Sequence, residues 1–142
     1  MSEQDNVRLI QDAYAAFGRG DIQSIIDMCT DDVHWEIVGP KEIPAMGARK
    51  GKAGVRDFFD TLASEDEVLH FEPRQFVAQG DAVVVFGYYQ ARFRHNNAVA
   101  GAEWCHLFTI RDGRVAAWRQ YSDTAAFLEA YRAAPTANVS AN

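Results

Sequence analysis

The chain has 142 residues, 48% of them hydrophobic and 12% aromatic, which suits one domain with a substantial core and leaves no room for a second. Its formal charge of −6, without clusters of Lys and Arg, argues against a nucleic-acid surface or an anionic membrane as partner. The polar first residues and short apolar runs predict a cytoplasmic protein without a membrane span. Cys29 and Cys105 lack metal-type spacing and are predicted to be reduced thiols.

Apolar residues recur at helical spacing in three segments of the first half of the chain. The spacing predicts helices over residues 5–18, 22–30 and 52–63. Asp21 is placed to cap the second of these helices. Strand-like residues 33–38 follow it, and the stretch 39–50, which holds two prolines and two glycines, is predicted to be an irregular connection across the mouth of the fold.

The second half predicts an antiparallel meander closed by a helix. Strand character marks residues 69–78, 82–94, 100–111 and 114–122. Among the turns between them, Asp112-Gly113 is a strong two-residue hairpin signal, and Asp123 is placed to cap a last helix. Helices on one face of a mainly antiparallel sheet make an α+β domain. We expect one domain over residues 1–142, with a core over 5–134 and a flexible tail over 135–142.

One ordered set of short signals extends over nearly the whole chain. It comprises Tyr14 to Phe17 with Gly20-Asp21, Asp31-Asp32-Val33 with Trp35, Gly51 before Val55 and Phe58, Gly80-Asp81 before Val83, and Asp112-Gly113-Arg114-Val115 before Tyr121 and Asp123. In this order and spacing the chain resembles the SnoaL-like proteins of the NTF2-like superfamily. The resemblance implies a cone-like (cystatin-like) fold, in which N-terminal helices pack on a curved sheet that encloses a pocket for a small ligand. It also implies a homodimer through the outer sheet face.

The same superfamily holds ketosteroid isomerases, in which a tyrosine and a neutral carboxylic acid hold an enolate oxygen while an aspartate moves the proton. The matching positions here are Ala13, Cys105 and Ile37, so none of the three residues is kept. A one-residue shift in one direction brings Tyr14 to the tyrosine position. A shift in the other direction brings Glu36 to the first-strand carboxylate, so both residues are candidate catalytic groups.

Limonene-epoxide hydrolases, also in the superfamily, use an arginine and two aspartates. The matching positions here look like Tyr88, Gln90 and Gln120. The acidic groups that activate water are therefore absent, and the epoxide hydrolase mechanism is not expected.

Strand alternation predicts an aromatic-walled pocket, provided that Trp118 points inward. The same phase places Glu103 inside as well. The predicted ligand-binding residues are Trp35, Phe58, Phe86, Tyr88, Gln90, Cys105, Trp118 and Gln120. An apolar wall with a few polar groups suits a small apolar ligand that carries one or two oxygens. For the tryptophans and Tyr14 the alternative is plain core packing.

Glu103 is the carboxylate predicted to act as general acid or base, because an inward acid in an apolar cavity has a raised pKa. The alternatives for Glu103 are an ion pair with Arg92 or a solvated position at the rim. No metal site is predicted, since His34 and Glu36 share a strand face without a third ligand.

The residues that alternate along the strands with these inward ones are predicted to face away from the pocket. Several of them are apolar, which predicts a two-fold homodimer through the outer face of the sheet. These residues are Trp104, Phe108, Ile110 and Tyr121. Two functions remain open. One is a cofactor-independent isomerase or cyclase that acts on a ketone or polyketide-like substrate, and the other is a ligand-binding or dimerisation module without chemistry.

Overall fold

The computed structural model describes residues 2–135. Of the flexible tail predicted over residues 135–142, residues 136–142 lie outside the described residues. Its helices are α1 (Glu3–Gly18), α2 (Ile22–Asp27), α3 (Gly51–Glu65) and α4 (Thr124–Arg132). Its strands are β1 (Cys29–Ile37), β2 (Gly47–Lys50), β3 (Asp66–Gln79), β4 (Ala82–Phe93), β5 (Val99–Arg111) and β6 (Arg114–Ser122). The predicted α+β class is confirmed. The short strand β2 falls within the segment predicted to be irregular.

The six strands form one sheet in the order β2-β1-β6-β5-β4-β3. Only β1 and β6 run parallel, and every other neighbouring pair is antiparallel. The helices cover one face, here called the inner face: α1 contacts β3, α3 contacts β1 and α4 contacts β5. Apolar side chains between helices and sheet make the core, and Ile10, Val55 and Val85 are fully buried there. Within residues 2–135, none of the helices has the length and apolar composition of a membrane span.

Side-chain caps begin the helices where the sequence places them. Asp21 accepts a hydrogen bond from the backbone N–H of Ser24, and Asp123 accepts one from Ala126, as predicted. Both residues of the β5–β6 turn have positive φ, 53° at Asp112 and 75° at Gly113, as in the type I′ turn of a two-residue hairpin.

A shift in register between β5 and β6 decides which side chains face the helices. Ile110 pairs with Val115, but the next residue, Thr109, pairs with Ala117, so Ala116 is an extra residue on β6. Phe108 therefore lies opposite Trp118. Without the shift, Leu107 would lie there, and every side chain of β5 would point to the other face.

The prediction of the inner face is wrong for β4 and β5 because of this extra residue. Phe86 is 44% exposed, and Glu103 is exposed on the outer face. The residues that alternate to the outer face with them are Tyr88, Gln90, Arg92, Cys105 and Leu107. The outer-face prediction is wrong for Trp104, Phe108 and Ile110, which are 3–4% exposed, whereas Tyr121 is exposed as predicted.

Candidate functional site

A cavity of about 110 Å³ lies between the inner face of the sheet and the helices. Residues from every helix and from the segment 43–46 contribute to its wall. Five of the lining side chains are polar or charged, and the others are apolar or aromatic. The five are Tyr14, Asp66, Tyr89, His106 and Gln120.

Stacked aromatic rings form one side of the cavity. Trp35 of β1 and Trp118 of β6 are paired in the parallel register, and their ring centroids lie 4.6 Å apart. Phe58 of α3 packs against Trp118 at 5.4 Å. The indole Nε1 of Trp35 is buried and has no hydrogen-bond partner within residues 2–135. This wall therefore combines flat apolar surface with one unused donor.

The first polar cluster joins Tyr14, His106 and Gln120 in a chain of hydrogen bonds. The Tyr14 hydroxyl lies 2.8 Å from His106 Nδ1, and His106 Nε2 lies 2.9 Å from Gln120 Oε1. Because the amide oxygen accepts from Nε2–H, Nδ1 of the neutral ring is an acceptor and the tyrosine hydroxyl donates to it. A half-turn of the Gln120 amide would reverse both donors and free the Tyr14 hydrogen for a ligand.

Burial keeps this cluster neutral. It lowers the pKa of His106 to about 3, and the Gln120 hydrogen bond only partly opposes that shift. Burial also raises the pKa of the Tyr14 phenol. The imidazole is stacked on Trp104 with ring centroids 3.7 Å apart. Gly87 of β4 allows this arrangement, because a Cβ at that position would collide with the Trp104 ring.

The second polar cluster is the pair Asp66 and Tyr89. Asp66 is the first residue of β3, directly after α3, and the Tyr89 hydroxyl donates to its Oδ2 at 2.7 Å. Burial raises the pKa of the Asp66 carboxyl and the nearby Glu65 adds to this, while the Tyr89 hydrogen bond and Arg94 oppose it. The pKa of Tyr89 is raised by its burial and by the carboxylate beside it.

Phe71 of β3 packs against side chains of both clusters. Its ring centroid is 5.8 Å from that of Tyr14 and 6.3 Å from that of Tyr89. It also packs against His106 at 6.4 Å. A ligand against this ring would lie close to both polar clusters.

The structure brings five of the sequence-predicted site residues together in the cavity wall. They are Tyr14, Trp35, Phe58, Trp118 and Gln120. The other predicted ligand-binding residues, Phe86, Tyr88, Gln90 and Cys105, do not line the cavity.

The two predicted catalytic glutamates also lie elsewhere. Glu36 is held by His34 Nε2 at 3.0 Å and lies 3.5 Å from Arg119. Glu103 is on the outer face, and its expected partner Arg92 is bonded to Glu67 instead. Neither carboxylate faces the cavity because strand alternation points both of them away from it.

Sequence reasoning missed His106, Asp66 and Tyr89. The alternation Trp104, His106, Phe108 would have identified the histidine, once β5 was placed in the correct phase. Asp66 lies in the polar run Ser64 to Glu67, which is typical of an exposed helix end, so no sequence signal marks it. Within residues 2–135 no group of three or more His, Cys, Asp or Glu side chains is placed to hold a metal ion.

Comparisons with known proteins agree with this architecture. The sequence model of one protein family, the SnoaL-like domain, matches residues 10–118 of this chain. An NTF2-like protein from Burkholderia xenovorans is 33% identical to this chain, with a TM-score of 0.84 over 92% of this chain and 98% of that one. TerC, crystallised with polyporic acid, is 29% identical to this chain, with a TM-score of 0.79 over 91% of this chain and 99% of that one.

A more distant structure supports the fold alone. A Rhodopseudomonas palustris protein that has been suggested to be an isomerase is 21% identical, with a TM-score of 0.73 over 92% of this chain and 98% of that one. A comparison with curated proteins gave no match.

Proposed function

Because the chain belongs to the SnoaL-like domain family, we propose that its cavity binds a small apolar molecule with one or two oxygen atoms and acts on it by acid–base chemistry, as an isomerase or cyclase does. The observation that carries the proposal is the distribution of polar groups. In an otherwise apolar cavity, the five polar side chains form two hydrogen-bonded clusters, and one tyrosine of each cluster packs against Phe71. Small-ligand sites commonly have such a wall with a few convergent polar groups.

The size of the cavity limits the ligand. A dry apolar cavity of about 150 Å³ is enough to hold benzene. The cavity here measures about 110 Å³, which is smaller, so the ligand is no larger than about one ring unless the wall moves. Phe127 of α4 and the segment 43–46 form part of the wall, and their displacement would admit a larger ligand.

A ketone fits the chemistry of the first cluster. When the Gln120 amide turns, His106 donates from Nδ1 and the Tyr14 hydroxyl can donate to a carbonyl oxygen. Loss of a proton from the adjacent carbon leaves an electron pair that delocalises onto that oxygen as an enolate. Hydrogen bonds aimed at the developing negative charge in a water-poor site lower the barrier to this step.

One relative supports an organic ligand that carries oxygen. TerC, which is 29% identical to this chain, was crystallised with polyporic acid. The alternative function, a module that binds ligand without chemistry, is favoured by one observation. The positions that match the ketosteroid isomerase acids carry Ile37 and Cys105.

Thermal unfolding with a matched pair of probes tests the binding step. We expect 2-cyclohexen-1-one, at ten times its dissociation constant, to add about 1.4 kcal/mol, which is a shift of several degrees for a domain of this size. Tyr14→Phe should weaken the effect of this ketone and leave that of cyclohexene unchanged. Tyr88→Phe, on the outer face, is the control. If neither probe stabilises the protein, the proposed function is wrong.

The proposal includes a homodimer through the outer face. Phe86, Cys105 and Tyr121 lie side by side on β4, β5 and β6, and the two aromatic residues are 44% and 42% exposed. A mass near twice 15.9 kDa in sedimentation would support the dimer. Phe86→Glu should dissociate it, whereas Gln11→Glu on α1 should not. A monomer at high protein concentration would contradict this part of the proposal.

A further inference from the structure

The carboxylate at the junction of α3 and β3 is placed to react with a ligand. Asp66 is 8% exposed, and of the carboxylates within residues 2–135 it alone lines the cavity. Its backbone N–H is bonded to Leu62 of the last turn of α3, and it pairs with Phe93 of β4. The side chain therefore projects from two rigid elements rather than from a loop.

The two oxygens of Asp66 have different surroundings. Oδ2 accepts the hydrogen bond from Tyr89. Oδ1 has no hydrogen-bond partner within the described residues, and it is not among the fully enclosed atoms that lack one. One oxygen is thus held in place, while the other is available to a molecule in the cavity.

The charged groups near Asp66 are few. Glu65 and Arg94 are the charged side chains that act on it, with opposite signs, and Tyr89 is the hydrogen-bond donor. Arg94 is directed elsewhere, since its Nε donates to the Ala63 carbonyl. Burial without an ion-pair partner raises the pKa of this carboxyl, which makes it a stronger base towards a carbon-bound proton.

The two clusters can act on one molecule. Phe71 lies against both Tyr14 and Tyr89. A one-ring ketone on Phe71 with its oxygen at Tyr14 shares the cavity with Tyr89, which packs against the same ring, and with Asp66, the hydrogen-bond partner of Tyr89. This arrangement rests on the function proposed above and adds the group that the first cluster lacks, a proton acceptor for carbon.

We propose that Asp66 is the catalytic residue that moves the substrate proton and that Tyr89 is a positioning residue that holds its carboxylate. The C–H bond next to the carbonyl breaks, the proton passes to Asp66 Oδ1, and the electron pair delocalises onto the carbonyl oxygen. In a ketone with a β,γ carbon–carbon double bond, return of the same proton to the γ-carbon restores the ketone and moves that double bond to the α,β position. The carboxylate is regenerated, and no oxidant or reductant is consumed. The acid therefore comes from the start of β3, and not from β1 or β5, where the ketosteroid isomerase pattern places its acids.

Conversion of 3-cyclohexen-1-one to 2-cyclohexen-1-one tests the assignment, because the conjugated product absorbs strongly in the ultraviolet. We expect the wild-type protein to accelerate conversion above the buffer rate. Asp66→Asn should slow it by about 100-fold or more while keeping affinity for 2-cyclohexen-1-one. Glu103→Gln, the same chemical change on the outer face, should have no effect.

A second variant keeps the test decisive if Asp66→Asn does not fold. Tyr89→Phe removes the hydrogen bond that favours the carboxylate, so the pH profile of conversion should move to higher pH. Binding without conversion by the wild-type protein, full activity in Asp66→Asn, or an unmoved profile in Tyr89→Phe would overturn the role of Asp66 and leave the binding function intact. Failure of the probes to bind would instead overturn the proposed function, and this inference with it.

Discussion

Acid should destabilise this protein through His106. Burial holds the pKa of the folded histidine at about 3, below its ordinary value of 6.5. As the pH falls below 6.5, the unfolded chain takes up a proton that the folded protein does not, so the unfolded state gains stability. This loss continues until the pH reaches the folded-state value near 3.

The size of the effect follows from these two values. Each pH unit between them changes the free energy of unfolding by about 1.4 kcal/mol for a single proton. Lowering the pH from 7 to 5 crosses about 1.5 units of that window, which corresponds to a loss of about 2 kcal/mol. The acidic groups whose pKa is lowered, such as Glu42, lose their contribution only at lower pH, as they protonate in the folded state. Asp66 acts in the opposite direction, because its raised pKa lets the folded state bind a proton first.

Urea unfolding at pH 7 and pH 5, followed by tryptophan fluorescence, measures this loss. His106→Gln keeps a polar side chain and removes the titration, so its loss between the two pH values should be smaller than that of the wild type by about 2 kcal/mol. Asp66→Asn removes the opposing carboxyl, whose raised pKa acts against the loss in the pH range where it titrates. Equal pH dependence in wild type and His106→Gln would refute the argument that burial keeps this histidine neutral.

Three further substitutions have expected outcomes. Phe127→Ala opens the cavity wall and should lower the free energy of unfolding by about 3 kcal/mol. The variant should also bind ketones larger than one ring. Unchanged stability and an unchanged limit on ligand size would contradict the cavity geometry. Gln120→Leu leaves the buried His106 Nε2–H without a partner and should cost about 1–3 kcal/mol, whereas Ser122→Ala, which removes only a 3.5 Å contact, should have little effect. Asn96→Ala removes the side-chain amide that donates to three carbonyls at the end of α4, and should lower the free energy of unfolding by about 1–2 kcal/mol. Amide hydrogen exchange in α4 should become faster. Unchanged exchange there would show that other contacts hold the helix.

Interactions between residues close in sequence were sufficient to predict most of the secondary structure and the family. Asp21 and Asp123 cap helices, and Asp112-Gly113 makes a two-residue turn, because each depends on neighbours only a few residues away. The order of these signals also predicted the SnoaL-like fold. Five of the cavity residues were predicted because they lie on elements whose inner face is set by their own apolar pattern.

The composition of the cavity depended on contacts between distant segments. The extra residue at Ala116 reverses the facing of β5 relative to Trp118 and, through strand pairing, that of β4 as well. This exchange brought His106 inside and placed Glu103 outside. Asp66 joined the site only because β3 pairs with β4 and brings Tyr89 beside it. The sequence by itself thus determined most of the elements and their family. The tertiary structure decided which acid faces the cavity, because the phase of these strands is set by their pairing and not by their own residues.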